Sequence, residues 1–226
     1  MPKGTRSKAI ILAQCIMAIL VCCQPVHAAK FRVGRPGRHN SKLQSRMPPQ
    51  CGRGWQLWYA NLHAEMLRRP SPEQRLAVVQ VTYNGLGDRL ASIVSVFWFA
   101  ALTGRAFRIQ WWEYEESLHP QLEVAVSSPH IDWKSVPSDR ELGKTHIEDH
   151  PQSPRAHHPF GYADLATIGN ESRTVWWKAN TGSLDELFYN PHHRQQLFEW
   201  GLRPETAAGC ALAYLFLSHG PRHWSW

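Results

Sequence analysis

Apolar residues recur along this chain with two different periods. Between Gly54 and Arg69, Trp55, Trp58, Tyr59, Leu62 and Met66 fall at helical spacing and Pro70 follows, which predicts an amphipathic helix. Ala77–Thr82 is a short apolar run rich in valine and reads as a buried strand. A turn, Asn84-Gly85-Leu86-Gly87, leads from it into a long apolar helix over Leu90–Leu102 that opens with Asp88-Arg89. The corner Thr103-Gly104-Arg105 then feeds a second strand, Ala106–Trp111. Beyond it, Glu113 to Ser172 is a long irregular loop region rich in His, Pro and charge, with one short helix expected near Glu141–His150.

Order resumes with a strand at Arg173–Lys178, and Ser183-Leu184-Asp185-Glu186 has the form of a capping box ahead of Leu187. Asn190-Pro191 is expected to open a helix running to Trp200, and Pro204 another through Ala207–Leu217. The sequence shows no internal repeat. The order α-β-α-β-loop-β-α-α predicts an α/β, Rossmann-like domain with parallel pairing across its βαβ unit.

The first residues stand apart from this pattern. Lys3, Arg6 and Lys8 precede an apolar run over residues 9–23, and Val26-His27-Ala28-Ala29 supplies small residues at a cleavage position. Residues 1–28 therefore read as a secretory signal peptide, with a signal anchor held in the membrane by residues 9–23 as the rival. Residues 29–53 read as a basic, disordered stem, and 54–226 as the folded domain. This division changes the meaning of the charge. The whole chain carries 25 Lys and Arg against 18 Asp and Glu, a net +7. Ten of those cations lie before Gly54 with no acidic residue among them, so the folded part is slightly acidic. A basic arm on an acidic body excludes a nucleic-acid-binding domain.

Of five cysteines, Cys15, Cys22 and Cys23 lie in the leader. Cys51 and Cys210 remain as a candidate disulfide, the alternative being two separate thiols. Asn170-Glu171-Ser172 is a sequon for N-glycosylation, in agreement with a secretory route through the Golgi or out of the cell.

The candidate chemistry gathers at the glycine turn. A strand, a glycine turn and a helix in succession aim free backbone N–H groups at whatever lies above the turn, which suits a phosphate or a polar sugar. Asn84, Gly85, Gly87, Asp88 and Arg89 are the expected cleft residues, joined by Trp111 and Glu113 at the end of the second strand. Asp88 as a plain helix cap and Arg89 on a solvated face form the alternative. The third glycine of a dinucleotide fingerprint is missing, and Leu90 stands in its place. His146 and His150 would share a helix face at i and i+4, yet no third ligand accompanies them, so no metal site is assigned. In the pairs Trp111-Trp112 and Trp176-Trp177 one indole could face a sugar, although core positions for both suit the strand pattern better. No catalytic base can be named.

The run from Tyr83 to Trp112, with Gly85-Leu86-Gly87-Asp88-Arg89, the apolar helix and Thr103-Gly104-Arg105, resembles the opening of GT-B fucosyltransferases of the plant xyloglucan and bacterial nodulation type. The resemblance implies one half of a GT-B architecture: the N-terminal, acceptor-side domain of a metal-independent transferase. It would move fucose from GDP-fucose, its donor substrate, to a glycan acceptor, with no cofactor. The family's second domain carries a donor-binding HxRRxD-like segment that has no counterpart here. Two such domains need roughly 300 residues, so the chain is expected to be a truncated first domain, inactive alone. Two further readings stay open: a secreted, non-catalytic glycan-binding module, and a Rossmann-type nucleotide-binding oxidoreductase with Glu113 at the ribose.

Overall fold

A computed structural model describes residues 47–70, 73–81, 85–111, 126–127, 130–134, 144–149, 159–179 and 182–218. Helix α1 (Trp55–Arg68) leads to β1 (Leu76–Val81), α2 (Leu86–Leu102) and β2 (Ala106–Trp111). Two residues of β3 (Val126–Ser127) are followed by β4 (Lys144–Asp149), a single turn α3 (Pro159–Tyr162) and β5 (Thr174–Ala179). Then come α4 (Leu184–Leu187), α5 (Arg194–Glu199), α6 (Pro204–Leu215) and β6 (Leu217–Ser218). Strands β2, β1, β5 and β4 lie in that order in one sheet, every neighbouring pair parallel. The short β3 and β6 pair antiparallel apart from it. The fold is a Rossmann-like α/β domain.

Alternation along the strands assigns their residues to two faces. Ala77, Val79, Val81 and Trp177 join the main core, while Leu76, Val78 and Trp176 pack with Met66 and Ala106 on the other side. Both tryptophans of β5 are thus buried, one on each face, and neither is free to stack on a sugar. With both faces covered, β1 reads as an almost unbroken apolar run, which is why the sequence marked it so clearly.

Helix α2 is the centre of the main core. From Leu90 to Leu102 every residue but Ala91 is buried. Its Phe97 and Trp98 meet Trp55 and Tyr59 of α1 and Tyr214 of α6 in edge-on and tilted ring contacts, Trp55 and Trp98 at 4.9 Å between centroids. The polar atoms of these rings reach backbone carbonyls. Trp55 Nε1 donates to Cys51 O, Trp98 Nε1 to Ala207 O, Tyr59 Oη to Arg105 O and Tyr214 Oη to Gln56 O. Each aromatic therefore adds buried area without stranding a donor.

The corner after α2 turns on Gly104, whose φ of 66° lies in the left-handed region. The next residue, Arg105, is wholly buried and acts as a staple. Its guanidinium donates to Leu76 O, Ser172 O, Arg173 O and Gly169 O, tying the starts of β1, β2 and β5 together. Burial lowers its pKa to about 10, leaving it charged and held by carbonyl dipoles.

Order begins before Gly54. Met47 and Cys51 are buried, so the end of the segment expected to be stem belongs to the packed unit. Cys51 and Cys210 form a disulfide with a Cα–Cα distance of 5.3 Å. It closes a loop of 159 residues, a constraint on the unfolded chain of about 5 kcal/mol in the chain-entropy account. Beside it, Gly52 (φ 65°) and Gly201 (φ 78°) meet backbone to backbone; a Cβ on Gly52 would fall 1.8 Å from Trp200 O.

Several expectations need correction. Residues 144–149 form strand β4, paired with β5, and not a helix near Glu141–His150. Sheet pairing overrode weak local periodicity there. His146 lies in this strand, not on a helix, and His150 lies outside the described residues. The helix expected from Pro191 begins only at Arg194. Buried Asn190 makes a turn first, donating Nδ2 to Phe160 O and Ala163 O and accepting from His192 N. Ser183 makes no side-chain cap. Among the described residues no cluster of three metal-ligating side chains occurs, and no helix is long and apolar enough to cross a membrane. Residues 1–46, with the expected leader and most of the stem, lie outside the described residues.

Burial also sets a pH dependence. His63 is 1% exposed, and its Nε2–H donates to Phe107 O at 3.0 Å. Its pKa is lowered to about 4, chiefly by desolvation, with the Phe107 bond acting against the shift and the nearby Arg108 adding to it. A histidine depressed in the folded state contributes stability above its unfolded pKa near 6.5, and loses it as the pH falls toward the folded value. His193, with Nε2 accepting from Leu165 N, is lowered in the same direction, chiefly by burial. The urea-unfolding free energy is expected to drop by about 2 kcal/mol between pH 7 and pH 5 from His63 alone, and His63→Gln should remove most of that drop. A wild-type stability flat across this window would refute the assignment.

Candidate functional site

Because the sheet is parallel, the C-terminal ends of β1 and β5 lie side by side at one edge. In open α/β sheets this is the edge where ligands bind. There the N-terminus of α2 and the segment 182–186 enclose a groove of about 340 Å³ with Ala208 and Leu212 of α6. Gly87, Leu90, Ala91 and Val94 form one side, and Gly182, Ser183, Leu184, Asp185 and Glu186 the other. The floor is apolar, and the two carboxylates bring hydrogen-bond acceptors to one wall.

The glycines of the first turn are not there for backbone reasons. Gly85 has φ −55° and ψ 155°, a conformation open to any residue. A Cβ on Gly87 would meet no atom within 4 Å, and one on Gly85 only Asp88 Oδ2 at 3.7 Å. Both are exposed, and α2 starts with no side-chain cap. The missing side chains therefore leave the first-turn N–H groups open to the space above them, with the positive end of the helix dipole behind.

Gly182 differs. A Cβ there would lie 2.7 Å from Ala91 Cβ, so the segment after β5 must approach α2 backbone-first. The contact is closed by Ser95 Oγ, which accepts from Ser183 N at 3.0 Å and donates to Ala91 O. In a capping box Glu186 would serve the Ser183 N–H. Here α2 serves it, and Glu186 lines the groove instead.

The expected site residues are brought together only in part. Gly85, Gly87 and Asp88 are exposed at the head of α2. Asp88 also complements the helix dipole in the first turn. Arg89 lies on neither a cleft surface nor a solvated face. It is 7% exposed, with its guanidinium 5.0 Å from the centroid of the Trp111 ring, and desolvation lowers its pKa. Trp111 is half-buried beneath that cation. Asn84 and Glu113 lie outside the described residues. Sequence reasoning missed Gly182, Asp185, Glu186 and the α6 residues. A glycine closely following the Thr174–Ala179 strand was the available signal, since it repeats the strand-then-glycine order of the first turn.

No protein-family model matches the chain, and no curated protein does. Among solved structures it is similar to a GDP-bound point mutant of the fucosyltransferase FUT1 from Arabidopsis thaliana, with a TM-score of 0.50 and 17% identity. The likeness covers 80% of this chain and 45% of that one, so the chain spans less than half of that structure. The chain has a fucosyltransferase-like fold. At this identity the likeness speaks for the fold alone.

The two kinds of glycine can be separated by experiment. Gly87→Ala should leave the thermal midpoint unchanged or raise stability by up to about 1 kcal/mol, the helix-propensity gain. Gly182→Ala should cost about 1–3 kcal/mol through overpacking against Ala91. Equal losses in both variants would show that the α2 corner is structural.

Proposed function

We propose that this chain is the acceptor-side domain of a fucosyltransferase-like glycosyltransferase of the secretory pathway. Its groove takes a glycan acceptor, and the Gly85–Asp88 corner faces a nucleotide sugar, GDP-fucose. The observation that carries this reading is the α2 corner. Two glycines, required by neither φ nor packing, leave the amides open beside a groove at the ligand-binding edge of a parallel sheet.

The chemistry of the groove favours a sugar over a phosphate within it. Asp185 and Glu186 accept hydrogen bonds from hydroxyls but repel a phosphate at close range. An apolar floor of Leu90, Ala91, Val94 and Leu212 suits the C–H face of a pyranose. A phosphate is better placed over the first turn of α2, at the groove's rim, where N–H groups and not carboxylates face it. In the assembled reaction the acceptor hydroxyl would attack the anomeric carbon as the GDP leaves. The described residues supply the acceptor side of that displacement and no assigned base. An oxidoreductase reading fits less well, since Leu90, at the place of the third glycine, is buried in the core.

Calorimetry and a glycan array test the proposal. Oligosaccharide binding is expected, weakened tenfold or more by Gly87→Val with an unchanged thermal midpoint, and GDP-fucose alone should show no turnover. Failure to bind any glycan or GDP-fucose would dismiss the transferase reading. Glycan binding that Gly87→Val leaves intact would favour a non-catalytic lectin-like module using the exposed Trp58, Tyr162 or Tyr189.

A further inference from the structure

The turn that precedes β5 carries a feature the groove does not use. Asn170 is exposed at the tip of a tight turn over residues 167–172, in which Asn170 N donates to Thr167 O and Ser172 N to Gly169 O. Its Oδ1 accepts from Arg75 Nη2 at 3.2 Å. That bond fixes the carboxamide with its Nδ2 on the remaining side. Asn170-Glu171-Ser172 is the one Asn-x-Ser/Thr triplet of the chain, x being other than Pro.

A triplet of this kind is meaningful only where the chain enters an oxidising lumen. The structure speaks to that point separately, through the Cys51–Cys210 bridge buried in the core. We propose that Asn170 is N-glycosylated. The Asn170 amide nitrogen attacks the anomeric carbon of an oligosaccharide carried on a polyisoprenyl pyrophosphate. A C–N bond forms, the C–O bond to the pyrophosphate breaks, and the amide proton is lost to a base of the transferring enzyme. Chain order helps this step. Cys210 lies downstream of the triplet, so Asn170 is synthesised before the bridge can close the fold.

The placement leaves the groove clear. The 167–172 turn leads into the N-terminal end of β5, whereas Gly182 and the groove follow its C-terminal end. The six-residue strand between them is about 20 Å long. A glycan at Asn170 therefore grows from the pole opposite the groove, over the rim where Arg105 staples the strand starts. It shields that rim and leaves the acceptor groove open.

The inference rests on the secretory-route reading, and one experiment separates the two. The full chain is expressed in a eukaryotic secretory host, once as it stands and once with a known cleavable signal sequence placed before Met1. The disulfide-bonded product of the second form is expected to lose the mass of one glycan on treatment with peptide N-glycosidase. Asn170→Gln and Ser172→Ala should abolish the loss, and Ser172→Thr should retain it, which separates the triplet from folding. A secreted, disulfide-bonded chain without the shift, or a shift that survives Asn170→Gln, overturns the proposal. Glycosylation of the second form alone would uphold the site and overturn the native leader as the route.

Discussion

Everything in this molecule is arranged around the burial of α2. A helix that is apolar on nearly all sides must be covered on all sides, because its exposed apolar area would cost about 25 cal/mol per Å². The sheet covers it from one side, while the aromatic rings of α1 and α6 and the segment after β5 cover the rest. Once that burial is complete, the helix meets open space only at its ends and along the groove face of Gly87, Leu90, Ala91 and Val94. One end runs into the Gly104-Arg105 corner and is stapled shut. The other, at Gly85–Asp88, stays open.

Two fixtures hold the cover in place. Arg105 directs Nη1 and Nη2 at four carbonyls around the strand starts, so hydrogen bonds close this part of the N-terminal rim of the sheet. On the far side of α2, the Cys51–Cys210 bridge and the Gly52–Gly201 contact bind the segment ahead of α1 to α6 and the corner before it. Helix α6 also contributes Ala208 and Leu212 to the groove, so the helix that the bridge anchors is one that lines the groove. The two poles of the sheet thus have different tasks: the N-terminal rim is locked, and the C-terminal rim is left open.

The βαβ unit was legible because β1, the first four residues of β2 and the body of the helix are buried, and their residues therefore form apolar runs that no loop would tolerate. Helix α6 was marked by Pro204 at its first position. Strand β4 was not legible. Lys144–Asp149 is mostly polar and takes its conformation from β5, a partner remote in sequence. Asn190 misled in another way: an Asn-Pro pair looks like a helix start, but the buried carboxamide builds a turn with α3. At the site, the α2 corner was visible as a motif. The facing wall was not, because Ser183–Glu186 follows the capping-box pattern while its backbone is bonded to Ser95 of another helix. Arg89 was expected in the cleft, and its stacking over Trp111 depends on a register between α2 and β2 that sequence alone does not display.

The most direct test of the open corner is amide-resolved NMR of the isotopically labelled protein, titrated with oligosaccharide acceptors and with GDP-fucose. The account predicts that the perturbed amides cluster at Leu86, Gly87, Asp88, Gly182 and Ser183, while those around the Arg105 staple stay unmoved. Perturbations confined to the exposed aromatics of α1 and α5, or absent from the α2 corner at saturating ligand, would contradict it.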